Sequence, residues 1–469
     1  MKKLEIPLAA KCLFTYEHFN KNSENILLLF ADEESAISAY KQLKFFDSKK
    51  DKKTNILHFP SLDTIPYDRV SPSTGILSKR ASILTTLAQK AKKYIVVTAA
   101  QNLITRLPIP DIFSNSTIVL EPGMKLDIDN LLVFLIKNGF TRSASAVDSG
   151  EFAVRGEIVD IVNADNKGYR INFGWTLVES IREFDTYSQI SKATLKTLTL
   201  STASESLLNS ETITNFKNNF LKTFGVNYIT NPLYESITSG HKFHGYEHLT
   251  PLLYEKMCLL PDFLERHTVI YDNLCLQAIL EYENSYKDFY ESRLLSNKNN
   301  PSSFYFAIPP EKQICSASEA KEFLERSNNI LVEGGSNQEY KIIENIAAAA
   351  KIEKKTEFEK LFEIITENKK KIPIICCNAK SSVERIKQIT ADHGFASITV
   401  KHFAEVKKNI INLAVVPLKH SFTSNKYLLI SERNILGDKF ITQSHKSSKK
   451  KLQNILTELD NISEGEMIV

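Results

Sequence analysis

Apolar positions along this 469-residue chain change period several times, and each change marks a different kind of element. Residues 25–30 (NILLLF) form a continuous apolar run, and residues 55–59 and 94–98 (YIVVT) repeat the type. Between the last two, Ile76, Leu77, Ile83, Leu84 and Leu87 recur at three- and four-residue spacing, the period of a half-buried helix. Continuous apolar strands joined by helices predict a parallel sheet covered on both faces.

The pattern then switches to period two. Residues 150–185, GEFAVRGEIVDIVNADNKGYRINFGWTLVESIREFD, predict three consecutive antiparallel strands. The first runs from Glu151 to about Val162 and closes in the polar turn 163–168. In the second, Tyr169, Ile171 and Phe173 point one way, and Arg170 and Asn172 the other. Gly174 breaks it, and a third strand runs from about Thr176 to Phe184. Gly156, beside Arg155, predicts a bulge or a close backbone approach inside the first strand. The polar face thus carries Arg155 and Arg170 on neighbouring strands, a pattern that suits a protein-docking patch. It also suits a sheet whose outward arginines keep it soluble, because one face of an antiparallel sheet is normally wet. The helix before this sheet, 130–138, has Asp127 or Asp129 as its cap and Gly139 as its stop.

Beyond about residue 203 helical periods return. Ile213, Phe216 and Phe220 share one face, and Gly225 ends that helix. A longer helix, 274–295, carries Tyr282, Tyr286, Phe289 and Tyr290, a stripe that reads as core packing. Ser316 and Glu319 form a capping box for a further helix. From Ile330 onward, short strands at 330–333, 372–377, 397–401, 411–416 and 427–431 alternate with helical segments and predict another small α/β unit.

Composition narrows the class without choosing a function. The chain is 42% hydrophobic and 24% charged, ordinary for a folded protein, and no apolar run approaches the roughly 20 residues of a membrane span. MKKLEIPLAAKCLF is spoiled as a signal peptide by Pro7 and the polar residues after it, so a cytoplasmic chain is expected. A net charge of +4 permits a nucleic-acid partner without arguing for one. Six scattered cysteines with no C-x-x-C pair read as buried thiols.

Candidate chemistry is sparse. No G-x-x-x-x-G-K-[ST] phosphate loop and no G-x-S-x-G elbow occurs. Asp32-Glu33-Glu34 after the first apolar strand imitates a magnesium-binding motif, but acidic residues there also cap a helix and complement its dipole. Gly334-Gly335-Ser336 has no following lysine and reads as a turn. His241, His244 and His248 have metal-like spacing, interrupted by Gly245 and with no cysteine near. The run His445 to Lys451 reads as an exposed basic linker. No catalytic, metal or cofactor residue is assigned.

The wording of 150–185, GEFAVRG followed by EIVD, then YRINF and VESIREFD, resembles the second domain shared by the excinuclease subunit UvrB and the bacterial transcription-repair coupling factors (Mfd). A second stretch is similar to the coupling factors in particular: Ile65-Pro66-Tyr67-Asp68, Ser71-Pro72 and Arg80 match a turn and an arginine-bearing helix of that family. SERNILGDK, 431–439, resembles the end of the family's third domain, and ISEGEMIV the beginning of its RNA-polymerase-interacting domain. A fragment, or a gene split at that boundary, is then expected.

The resemblance implies a multidomain α/β chain: a degenerate, helicase-like (UvrB-like) parallel-sheet module with an inserted α+β docking domain, plus a further small α/β domain. The expected boundaries are 1–115 and 204–329 for the two parts of the module, 116–203 for the docking domain and 330–442 for the small domain. Residues 443–469 would be the basic linker and the start of a truncated RNA-polymerase-interacting domain. The resemblance also implies docking on the damage-sensing ATPase UvrA, so that nucleotide excision repair is recruited to RNA polymerase stalled at DNA damage. DNA and RNA polymerase would be engaged through the full-length protein, an ATP-dependent DNA translocase, and this chain would have no catalytic activity. Arg155 and Arg170 are the expected docking residues, supported by Phe173 and Glu151, because guanidinium forks pair bidentately with carboxylates and arginine is enriched in interface hot spots. The chain departs from the family at Gly174, where a second aromatic is common, and at Ile161-Val162-Asn163, where an aromatic and a proline are. Two rivals remain, a UvrB-like DNA helicase and a DNA-binding scaffold that uses the basic run and the tyrosine-rich helix.

Overall fold

The continuous apolar runs pair side by side. In the computed structural model, which describes residues 1–47, 55–299 and 305–437, Asn25–Phe30 runs parallel to Ile95–Ala99, which runs parallel to Ile56–Phe59. Six strands make up this sheet, in the order Lys2–Ile6, Ile330–Gly334, His267–Asp272, Asn25–Phe30, Ile95–Ala99, Ile56–Phe59. Two strands correct the sequence reading. Ile330–Gly334 does not open the later α/β unit but pairs in parallel with His267–Asp272. His267–Asp272 itself lies in a stretch read as helical; it is a short, mostly buried run, and periodicity cannot separate such a run from a buried helical turn. Both strands gain partners from residues far away in sequence, which no local pattern encodes.

The chain forms two compact units, one of residues 1–4, 17–40, 55–299 and 305–332, the other of 5–16, 41–47 and 333–437. In the first, the core of the parallel sheet is Leu27, Leu29, Val96 and Val269, packed by the helices Thr74–Ala88 and Asn273–Asn299. The three tyrosines of the long helix's aromatic stripe, Tyr282, Tyr286 and Tyr290, pack inward as their spacing predicts, whereas Phe289, read with them as core, is exposed because it falls on the helix's outer side. Tyr286 meets Tyr67 edge-on at 5.5 Å and Tyr282 at 5.2 Å. Helices Ser210–Phe224 and Pro232–Thr238 bury Phe216, Phe220 and Ile237 in a separate cluster with Tyr246 and Phe306. Among the described residues all six cysteines are free thiols, and no helix is long and apolar enough to cross a membrane.

Between the two halves of that module lies a smaller α+β domain, whose strands are numbered here. They are β1 (Thr141–Arg142), β2 (Glu151–Arg155), β3 (Ile158–Val162), β4 (Gly168–Phe173), β5 (Val178–Phe184) and β6 (Ser191–Leu195), and they lie in the sheet in sequence order. All adjacent pairs but β1–β2 are antiparallel. The expected single strand from 151 to 162 is thus two strands. Gly156 takes φ +61°, and Arg155 pairs directly with Ile158, so Gly156-Glu157 is a two-residue hairpin turn and not a bulge. A helix, α1 (Ile128–Lys137), covers one face, its first turn capped by Asp127, whose side chain accepts from the Asn130 amide at 2.8 Å. Leu131 and Leu135 of α1 bury against Phe152, Val159, Ile161, Ile171, Phe173 and Ile181.

The second unit holds a further six-stranded, largely parallel sheet centred on Ile372–Cys377, flanked by Tyr427–Ser431 and Ile411–Val415. Its core gathers Ile375, Leu413, Leu428 and Ile430 with Leu361 and Phe362 of the helix Glu357–Glu367. The basic run His445 to Lys451, and residues 438–439 of the SERNILGDK stretch, lie outside the described residues.

Candidate protein-docking face

Register assigns every side chain of the inserted sheet to a face. Ala153, Asp160, Arg170 and Arg182 sit directly opposite one another across β2 to β5, and Arg155, Ile158, Asn172 and Ser180 form the next row. Side chains in register point the same way, so Arg155, Arg170 and Arg182 all belong to the face away from α1. Arg155 and Arg170 therefore share a face as the alternation predicts, but they stand on β2 and β4 with β3 between them, because Gly156 turns the chain.

The two arginines have different environments. Arg155 is exposed, and its Nη2 donates to Ser145 Oγ at 3.2 Å. The Arg170 guanidinium forks onto Asp160, Nε to Oδ1 at 2.7 Å and Nη2 to Oδ2 at 2.9 Å. Its Nη1 donates to the Gln189 carbonyl at 3.3 Å and to Ser191 Oγ at 3.2 Å, and the group lies 5.1 Å from the centre of the Phe184 ring. Side-chain exposure is 19% for Arg170 and 2% for Asp160. The hydrogen bonds to Asp160 raise the Arg170 pKa further above its ordinary value, against the desolvation that lowers it. Arg170 thus neutralises a buried carboxylate and presents one edge outward.

Phe184 explains why that corner is closed. It lies directly opposite Gly168, where a Cβ would come within 2.6 Å of its ring, and it packs with Ala146, Ala153 and Val162. Gln189, at φ +58°, folds the β5–β6 turn back over this cluster and donates from Nε2 to the Ala146 carbonyl at 3.2 Å. Glu151 is occupied at the other edge, where its carboxylate accepts from the amides of Val147 and Asp148 at 3.1 and 3.0 Å. Phe173 is 2% exposed and belongs to the core under α1, as the alternation predicts.

Three exposed residues of this domain escape the sequence reading. Arg182 is exposed and has no hydrogen bond or ion pair among the described residues, although the alternation of β5 (Ser180, Arg182, Phe184 outward) would have found it. Trp175, the chain's one tryptophan, is 96% exposed on the β4–β5 hairpin. Tyr187 is 85% exposed on the β5–β6 turn, with Ile190 beside it at 66%. No period marks a residue on a turn, so the two aromatics carried no signal beyond their type.

Elsewhere, the corner that binds phosphate in open α/β sheets, at the end of the strand Asn25–Phe30, is filled by carboxylates. Asp32 Oδ1 accepts from the Ser35 amide at 2.7 Å, and Glu33 reaches His58 Nε2 and the Ser61 amide, both at 3.0 Å. Burial raises the Glu33 pKa, but the hydrogen bonds from His58 and Ser61 outweigh it and hold the carboxyl below its ordinary value. Of the histidines His241, His244 and His248, the last has Nδ1 on the Gly245 carbonyl and its ring stacked on Tyr305 at 4.7 Å.

Comparison with known proteins places this geometry. A sequence model of the UvrB interaction domain matches residues 118–205, the inserted domain and its flanks. Transcription-repair-coupling factors of Rickettsia bellii and Rickettsia prowazekii are 47% and 45% identical over the whole of this chain, which covers 41% of each. The coupling factor of Haemophilus influenzae is 28% identical over 56% of the chain and 23% of its own length. The chain thus spans about two fifths of the length of the curated relatives it matches in full, and it corresponds along its whole length to their N-terminal region.

Proposed function

We propose that this chain, with its UvrB interaction domain and its full-length match to the N-terminal region of transcription-repair coupling factors, is the part that docks on UvrA. Nucleotide excision repair would in this way be brought to an RNA polymerase stalled at DNA damage. Engagement of DNA and polymerase, and ATP-driven translocation, would belong to the rest of a full-length protein in the cytoplasm. The observation that carries the reading is the coincidence of the matched domain with an arginine-bearing sheet face turned away from its own core.

On this reading Arg155 is the principal contact of the expected set, since its guanidinium is exposed and holds one neutral hydroxyl. Arg170 contributes its outer edge, Glu151 orders the turn at residues 147–148 on the rim of the face, and Phe173 supports the strand from the core side. Residues 1–115 and 204–329, with the strand Ile330–Gly334 that joins the same sheet, would form the helicase-like module, and the third α/β domain would begin after Gly334. The chain itself has no ATPase role: Asp32 and Glu33 put negative charge where a nucleotide phosphate would need backbone donors.

The experiment is a titration of the chain with purified UvrA, beside Arg155→Ala. Saturable binding by the wild type, weakened in a variant that melts at the same temperature, supports the reading. A folded wild-type chain that does not bind overturns it.

A further inference from the structure

Of the three outward arginines in the docking sheet, two are held internally and one is not. Arg170 is matched by Asp160, and Arg155 rests on Ser145. Arg182 sits directly opposite Arg170, exposed, with no acceptor among the described residues. Like charges directly opposite on neighbouring strands destabilise a sheet. Asp160 neutralises Arg170 alone, so the outer face keeps Arg155 and Arg182 as two uncompensated positive charges. From strand spacing and rise they stand about 16 Å apart, three strands across and two residues along.

Both ends of this face carry an aromatic side chain left almost wholly in water. Trp175 tops the β4–β5 hairpin, next to the Gly156-Glu157 turn, since the Phe173 amide donates to the Glu157 carbonyl at 2.9 Å. Its hairpin is braced from below, where the Leu126 amide donates to the Thr176 carbonyl at 3.1 Å and Val178 donates to Met124 at 3.0 Å. Tyr187 stands at the opposite end, on a turn fixed by Asp185, which accepts from the amides of Tyr187 and Ser188 at 3.2 and 3.0 Å. Both aromatics are therefore held on ordered turns, so binding would cost little backbone entropy. Tryptophan, tyrosine and arginine are the residue types that dominate interface hot spots.

We infer that Arg182, Trp175 and Tyr187 complete the docking surface with Arg155, and that its occupant is a protein face presenting carboxylates between two apolar recesses. This inference rests on the docking reading above and deepens it. Arg182 gives the second fork for a carboxylate, and the two aromatics anchor the ends. A span of about 16 Å between forks fits the roughly 800 Å² that each partner buries in a standard interface.

The test is a set of variants of the whole chain, Arg182→Glu, Trp175→Ala and Tyr187→Ala, titrated with purified UvrA beside Arg155→Ala and the wild type. Each altered side chain is exposed, so melting temperatures should match the wild type. The expected result is a Kd raised about thirtyfold or more by Arg182→Glu and by at least one aromatic truncation. Trp175 fluorescence, the chain's sole indole signal, should shift on binding. If Arg155→Ala weakens binding while these three variants bind as the wild type does, the extended surface is wrong and the docking reading stands. If the wild type fails to bind, both fall. Loss in Arg182→Glu of affinity for duplex DNA, with UvrA binding unchanged, would assign the free charge to nucleic acid and overturn the proposal.

Discussion

Arg155 and Arg170 look alike in the sequence and differ in what their removal would do. Arg170→Ala leaves Asp160 buried with its charge uncompensated, a change that costs about 3–5 kcal/mol. Arg155→Ala removes an exposed group with one hydroxyl partner and should change stability by less than about 0.5 kcal/mol. Chemical denaturation of the two variants checks this, and Asp160→Ala/Arg170→Ala should be more stable than Arg170→Ala alone, because no orphaned charge remains. A double Arg155/Arg170 variant would therefore mix unfolding of the domain with loss of contact. Binding losses in Arg170→Ala carry meaning only after its melting temperature is known. The outward direction of both arginines was legible in the alternation around Tyr169–Phe173. The pairing with Asp160 was not, because Asp160 lies ten residues away and meets Arg170 only through the β3–β4 register.

The strands, helices and turns show where local pattern suffices. The capping aspartate of α1, the buried face of β4 and the capping box at Ser316 all followed from nearest neighbours in sequence. Gly156 did not, since a glycine in an alternating run serves a bulge or a tight turn equally well, and the pairing of Arg155 with Ile158 decides between them. Gly168 is a second case: its φ is ordinary, but the Phe184 ring occupies the space a side chain would need. Gly168→Ala should destabilise the docking domain by about 1–3 kcal/mol, measured by denaturation of the chain. The 3-10 turn Tyr246–Leu249 holds a pH-sensitive element. Burial pushes the His248 imidazole down to about 4 from an ordinary 6.5, so the folded chain keeps it neutral where an unfolded chain would protonate it. The unfolded state then binds more protons between those values. The contribution is complete above about pH 6.5 and is lost as pH falls toward about 4. His248→Phe, which keeps the stack on Tyr305, should flatten the stability profile over that window.

At the scale of the molecule, the docking domain is fastened to the module that carries it by a few polar contacts. Arg80, fully buried, forks onto Glu205 just past the domain's end, donates to the Pro60 carbonyl at 2.7 Å and lies 4.2 Å from the centre of the Phe59 ring. Lys242 Nζ reaches the Gly139 carbonyl and Thr141 Oγ1, each at 2.9 Å. Arg80→Ala should cost about 3–5 kcal/mol by stranding Glu205, with the loss seen in thermal melting of the whole chain. The sequence showed Arg80 on a helix after Ser71-Pro72 and gave no hint of Glu205, which is 125 residues away. The six-stranded order of the parallel sheet was equally out of reach, since two of its strands pair across more than two hundred residues.

If this chain recognises UvrA through the outer face of the inserted sheet, calorimetric titration with UvrA will register it in the binding affinity. Wild type, Arg155→Ala and Arg182→Glu would be measured together, each with its melting curve. Measured with them, the combined Arg155→Ala/Arg182→Glu chain should lose affinity about thirtyfold or more with melting unchanged, while the wild type binds saturably. Equal affinity in all of them would contradict the assignment of that face, and no heat of binding from a folded wild-type chain would contradict the function itself.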